Sequence, residues 1–351
     1  MRKLRRQLAA VAIAALVTSG CATVNLQQVQ TDVRTNPGAA ALIENVPFHK
    51  QRPRECGPAA LAMLGNFWGK NVTQEEISRE IYLPKLRGSL NVELALYAER
   101  FGLWTRPYEG ALDDIRQKIR AGVPVLVLGR QPIPFLKFYH YWVVIGYDDV
   151  QKVLVAHSGT GENEIISYWK FERRWRGTDR WTLLLCPPEA ARWDLSDDEH
   201  NDLGLYFERQ DDLDRALAEY RAALELNPQN AWLYFNIGNV LLRKKDFDGA
   251  VSSFKLACEL APDNAEICNN LAYALAENGE ELDLAVELAQ KAIRLRPANK
   301  AAYLDTLGLA YLVRNDLALA RETLNAALAA TTPRQKELRS TIEQRLESLA
   351  R

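Results

Sequence analysis

A cysteine stands just before Gly-Pro in the run RECGPAAL, residues 54–61, and small helix formers follow it. A helix that starts at Pro58 holds the sulfur of Cys56 over its first turn, beside main-chain N–H groups with no partner inside the helix. The positive end of the helix dipole stabilises a thiolate at that place. Such a sulfur becomes a catalyst when a base lies within hydrogen-bond reach and donors wait for the oxyanion. His140 opens the run HYWVVIGYDD and can take the proton. Gln51, five residues before the cysteine, can offer its side-chain amide to an oxyanion, together with the backbone N–H of Cys56. Together these types do nucleophilic acyl chemistry, and geometry rather than chain order defines the set. The competing readings are an inert, buried cysteine and a histidine that merely begins a strand.

Several elements must hold these groups. SLNVELALYAERFGL and ALDDIRQKIRAG have helical spacing. GVPVLVLG, short, valine-rich and bounded by glycine, reads as a buried strand. HYWVVIGYDD is a second strand that ends in a Gly-Tyr-Asp turn, KVLVAHSGTG a third, and RWTLLLCPP the last. Helices first and antiparallel strands after make an α+β plan for residues 45–190. Asp148 and Asp149 fall in a turn and read as turn formers.

Taken in order, Gln51, CGPAALAML, RGSLNVELALYAERFGL, AGVPVLVL and HYWVVIGYD resemble the bacteriocin-processing cysteine peptidases, whose domain also heads peptide exporters and trims double-glycine leaders. The resemblance runs from about Val46 to Pro188 and implies a papain-like fold. It also implies Cys56 as nucleophile, His140 as base and Gln51 as oxyanion donor. Gln51 lies one residue nearer the cysteine than in exporter-linked members. The family's aspartate, near the end of the strand after the histidine, is replaced by His157 and Ser158. The imidazole of His140 is then held by His157, by Ser158, by a backbone carbonyl or by nothing special, and His157 is a second candidate base. No Walker loop is present, so double-glycine specificity is not carried over. The expected substrate is a peptide or protein. Two other functions stay open: a catalytically inactive peptidase-like scaffold, and acyl transfer by the same thiol.

Internal periodicity governs the second half. Small residues recur at Gly204, Gly238, Ala272 and Gly308, and alanines at Ala216, Ala250, Ala285 and Ala320, then at Ala223, Ala257, Ala292 and Ala327. Pro228, Pro262 and Pro297 follow helix ends, and the spacing is 34 to 36 residues throughout. Two amphipathic helices per unit that cross closely at small residues resemble the tetratricopeptide repeat, here about four copies over residues 196–333. The third unit has an extra residue in ENGEELD, and residues 334–351 read as a polar-backed capping helix. An all-α solenoid of this kind offers a groove to a protein partner. Asn236, Asn239 and Arg243 are groove candidates or plain solvated surface.

The N-terminus differs from both halves. MRKLRR is basic, and the apolar run LAAVAIAALV is too short to span a bilayer of about 30 Å. Thr-Ser-Gly-Cys then ends at Cys21. Residues 1–20 read as an export signal, and Gly20-Cys21 resembles the lipobox of bacterial lipoproteins, with Thr18 where the box usually has Leu. Cys21 is thus the expected lipidation site and residues 21–44 a lipidated tether. Ala22 resembles the outer-membrane sorting pattern, which implies anchorage to the outer membrane, facing the periplasm.

Lys and Arg total 44 against 45 Asp and Glu, and no concentrated basic face argues for nucleic acid. Of the other cysteines, Cys186 ends an apolar run and reads as core. Cys258 and Cys268 flank a helix–helix turn and are a possible pair. No CxxC occurs and the four histidines are scattered, so no metal and no cofactor is expected.

Overall fold

The computed structural model of the chain describes residues 24–86, 88–131 and 138–349. The expected signal segment 1–20 and the lipidation site Cys21 lie outside the described residues. The chain divides into two compact units, with the break between Asp194 and Leu195.

Among the described residues, the first unit is built on a seven-stranded antiparallel sheet. In chain order its elements are α1 (Leu26–Thr35), β1 (Ala40–Leu42), α2 (Cys56–Phe67), α3 (Gln74–Ile81) and α4 (Asn91–Glu99). Then come β2 (Trp104–Glu109), α5 (Leu112–Arg120), β3 (Val125–Gln131), β4 (Phe138–Asp148), β5 (Val153–His157), β6 (Glu164–Ser167), α6 (Tyr168–Trp175) and β7 (Trp181–Cys186). The spatial order is β2-β7-β3-β4-β5-β6, with β1 paired to the end of β4. β3 and β5 are buried along nearly their whole length, which explains their unbroken apolar runs. Trp104, Trp142, Trp175 and Tyr147 are the largest fully buried side chains of this core.

Two expectations are corrected. The segment 21–44 is no free tether where it is described. Asn25 caps α1 by accepting from the Gln28 N–H at 3.0 Å, Val29 is fully buried, and β1 pairs with β4 through Ala40–Asp148 and Leu42–Gly146. Strands also do not wait for the helices to finish, because β2 falls between α4 and α5. Its Pro107 cannot donate to a ladder, and β2 is accordingly an edge strand that, among the described residues, pairs only with β7.

The second unit is a run of paired helices: α7 (Asp197–Arg209) with α8 (Leu213–Leu226), α9 (Ala231–Arg243) with α10 (Phe247–Leu260), α11 (Ala265–Asn278) with α12 (Leu282–Leu295), and α13 (Lys300–Val313) with α14 (Leu317–Ala330). α15 (Lys336–Ser348) follows. The recurrent small residues sit where helices cross. A Cβ on Gly204 would lie 2.5 Å from the Tyr220 ring, and one on Gly238 2.6 Å from Phe254. The eight recurrent alanines are all fully buried. Asp212 and Asp246 start the second helices of their pairs by accepting the Arg215 and Gly249 N–H groups. The extra residue of the third unit is absorbed in its turn, where both Gly279 and Glu281 take positive φ.

Candidate active site

α2 brings its N-terminus against β4. Its N-cap residue, Glu55, makes no capping bond, because its carboxylate accepts from Gln74 Nε2 at 2.7 Å instead. Pro58, in the first turn, has no N–H to satisfy. The N–H groups of Cys56 and Gly57 are therefore left for the Cys56 sulfur, and the Tyr141 N–H of β4 adds a third donor. β5 ends at His157 opposite Val143, so residues 140 and 141 of β4 lie beyond its cover. The helix can come this close because Gly57 lacks a side chain: a Cβ there would lie 3.1 Å from Leu94 and 3.3 Å from the Tyr141 ring.

His140, buried on β4, sits one residue from the amide that contacts the sulfur. Its Nε2 donates to the Ser158 carbonyl at 2.5 Å, which leaves Nδ1 as the basic nitrogen. Of the three holders expected from the sequence, the backbone carbonyl is thus the one in place. The Ser158 hydroxyl turns away and donates to Glu164 Oε1 at 2.6 Å. His157 does not reach His140: its Nε2 donates to the Val46 carbonyl at 3.1 Å and its Nδ1 accepts from the Asn163 N–H at 3.2 Å. The expectation of His157 as orienter or second base is corrected accordingly, since backbone groups engage both of its ring nitrogens.

Gln51 reaches the same turn from the other side. Its N–H donates to the Gly159 carbonyl at 2.8 Å, and a Cβ on Gly159 would lie 2.7 Å from its Oε1. Among the described residues that oxygen is buried without a partner. The turn Ser158–Gly161 therefore joins the two groups. It is tied by the Thr160 and Gly161 N–H groups, both donating to Ser158 Oγ, and by the Ser158 N–H on the Gly161 carbonyl.

Burial dominates the electrostatics. It pushes the Cys56 thiol above its ordinary range, against the three N–H donors, and it holds His140 below the usual imidazole range, against the Ser158 carbonyl and the charge of Glu164. Burial thus favours a neutral thiol and a neutral imidazole, against the thiolate that the helix dipole favours. Glu164 is the group that sequence reading missed: a carboxylate near the imidazole, acting through Ser158. Asp148 and Asp149 lie away from the imidazole. Asp148 Oδ1 accepts the Val150 and Gln151 N–H groups of its turn, and Asp149 accepts from Tyr168.

A cleft of about 670 Å³ opens over Cys56. Leu86, Leu90, Val92, Leu128, Phe138 and Tyr139 give it apolar walls, and Arg54 and Asn91 add polar groups. No group of His, Cys, Asp and Glu able to hold a metal occurs among the described residues.

Comparison with known proteins places the two units. Residues 43–182 match the family described as Peptidase_C39 like, and residues 201–265 and 269–334 match the tetratricopeptide repeat. No curated protein matches the chain significantly. Among solved structures it is similar to a thermophilic TPR protein of Thermus thermophilus, at 22% identity over 44% of this chain and 84% of that one, with a TM-score of 0.39. It is also similar to MamA from Desulfovibrio magneticus RS-1, at 16% identity over 44% and 93% of the two chains, with a TM-score of 0.36.

Proposed function

From a chain that joins a Peptidase_C39-like domain to tetratricopeptide repeats, we propose a cysteine peptidase that cuts a peptide or protein substrate. An extended substrate lies in the cleft with apolar side chains against Leu90, Val92 and Phe138. As its carbonyl carbon nears Cys56, the thiol proton passes to Nδ1 of His140 and the sulfur attacks. The oxyanion takes the Cys56 N–H and the Gln51 amide. His140 then returns the proton to the leaving amine, and water resolves the acyl-enzyme. The observation that carries this reading is the hydrogen bond from His140 Nε2 to the Ser158 carbonyl, which sets the tautomer a general base requires. The repeats supply a groove for the substrate protein or a partner. Export by residues 1–20 and lipid attachment at Cys21, with placement at the outer membrane facing the periplasm, complete the proposal. Their support is the basic start, the short apolar run and Gly20-Cys21.

A second reading, an inactive peptidase-like scaffold, is favoured by the burial that pushes the Cys56 thiol up. One experiment separates them. The full chain is treated near neutral pH with a peptidyl epoxide and followed by mass spectrometry. Peptidase function predicts stoichiometric labelling at Cys56, lost in Cys56→Ala and slowed about 100-fold or more in His140→Ala. Labelling indifferent to His140 supports the scaffold.

A further inference from the structure

The repeat unit holds a second pair of thiols that the peptidase chemistry does not use. Cys258 lies near the end of α10 and Cys268 near the start of α11, on either side of a short turn that begins at Ala261. The Cys268 thiol lies near enough to Cys258 to bias its titration, and neither cysteine is in a disulfide. Cys268 is fully buried, and its S–H also reaches the Pro262 carbonyl at 3.3 Å. Cys258 is only half-buried. Lys291 of α12 closes the cluster: its Nζ donates to the same Pro262 carbonyl at 2.7 Å and lies 3.3 Å from Asp263. The Cys268 S–H, and beyond it the Lys291 ammonium, lower the Cys258 thiol to about 7. The same contact pushes Cys268 up. One sulfur is half-exposed with its thiol lowered toward neutrality, and its neighbour across the turn is a sheltered thiol. Thiol–disulfide exchange requires that division of roles.

We infer that Cys258 and Cys268 are an exchange-competent dithiol that closes to an intramolecular disulfide on meeting a small or protein disulfide. The Cys258 thiolate attacks one sulfur of the donor; the donor S–S bond breaks, a mixed disulfide forms and one donor thiolate leaves. Cys268 then gives up its proton, attacks Cys258 Sγ and expels the second donor thiolate. Two protein thiols are oxidised, one donor disulfide is reduced to two thiols, and the protons of the cysteines end on the leaving sulfurs. The new bond staples α10 to α11 at the join between the second and third repeats. It restricts the unfolded chain over that turn, and it depends on nothing at Cys56.

The full chain offers a direct assay, because trypsin releases residues 256–291 as one peptide containing both cysteines and no internal Lys or Arg. The chain is equilibrated with mixtures of reduced and oxidised glutathione, alkylated and digested. The expected product is that peptide lighter by two hydrogens and closed to alkylation, with little glutathione adduct. Cys268→Ser is expected to stop at the mixed disulfide on Cys258. In Cys258→Ser, Cys268 is expected to react about tenfold more slowly or less, because its sulfur is buried and protonated. Wild-type chain that accumulates the glutathione adduct without closing overturns the inference, as does a peptide that stays fully alkylated in oxidising mixtures. The wild-type mass needs no variant to fold.

Discussion

Three main-chain N–H groups point at the Cys56 sulfur, yet burial wins and the thiol stays above its ordinary 9.0. His140 is held below its ordinary 6.5 for the same reason. Both shifts favour the uncharged pair around neutral pH, so a reagent without a carbonyl to polarise is expected to meet a thiol rather than a thiolate. Alkylation of Cys56 by iodoacetamide is therefore expected to speed up with rising pH and to reach its midpoint above 9, when followed by peptide mass from about pH 6 to about pH 11. A midpoint below about 8 means a standing ion pair and contradicts the burial argument. Glu164 acts at one remove: it holds the Ser158 hydroxyl, and its charge raises the His140 pKa. Glu164→Gln keeps an acceptor oxygen and loses the charge, whereas Glu164→Ala loses both. The His140 titration, read by NMR, is expected to move down in both variants. Epoxide labelling is expected to fall about tenfold or more in Glu164→Ala. An unmoved titration leaves Glu164 a purely structural part. Cys56 and His140 were legible because each stands at or near the start of an element, where local pattern is informative. Glu164 was not, since it reaches the site only through a turn that no local pattern marks.

At the scale of elements, the turn Ser158–Gly161 does what a catalytic carboxylate does elsewhere: it fixes the imidazole, through a carbonyl, and it seats Gln51. Gly159 takes φ +76° there, with no room for a Cβ beside Gln51 Oε1. Gly159→Ala is expected to cost about 1–2 kcal/mol in stability and to slow labelling by more than that loss explains, because Gln51 must move. Parallel melting and labelling curves check it, and equal losses in both sink the positioning role. His157 carries a different prediction. It donates from Nε2 and accepts at Nδ1, so it must be neutral, and burial lowers its pKa. A lowered folded value gives stability that is complete above about pH 6.5 and lost as pH falls through the folded pKa. The melting temperature of the wild-type chain should therefore fall more steeply between about pH 7.5 and about pH 5 than that of His157→Asn. Strands β3, β4, β5 and β7 were readable because burial on both faces writes itself as apolar runs. α1 and β1 were not: α1 is ten residues long with Val29 and Asp32 as its buried contacts, and β1 has three residues that pair only once β4 exists.

Over the whole molecule the two halves are encoded differently, and that difference bears on what each contributes. The sheet unit depends on contacts between residues distant in sequence, such as Trp68 Nε1 donating to the Leu185 carbonyl at 2.8 Å. The repeat unit depends on neighbours, so its plan is visible as a period: the Tyr220 and Phe254 rings occupy the space that a Cβ on Gly204 or Gly238 would need. Its end is closed by α15, where Ile342 is fully buried and Arg345 pairs with Asp305, whose carboxyl burial pushes up against the pull of that arginine. Arg345→Ala leaves a buried carboxylate alone and is expected to cost about 3–5 kcal/mol, seen as a lower melting temperature for the repeats. Each unit thus carries its own core on its own side of Asp194. Residues 24–194 produced alone should fold and label with the peptidyl epoxide at the rate of the full chain. If the repeats gather a protein substrate, removing them lowers kcat/KM for that protein and leaves the small electrophile untouched, because only the large substrate has surface to offer a groove. Equal losses toward both reagents mean that the repeats shape the catalytic cleft itself, and the division of labour between the halves fails.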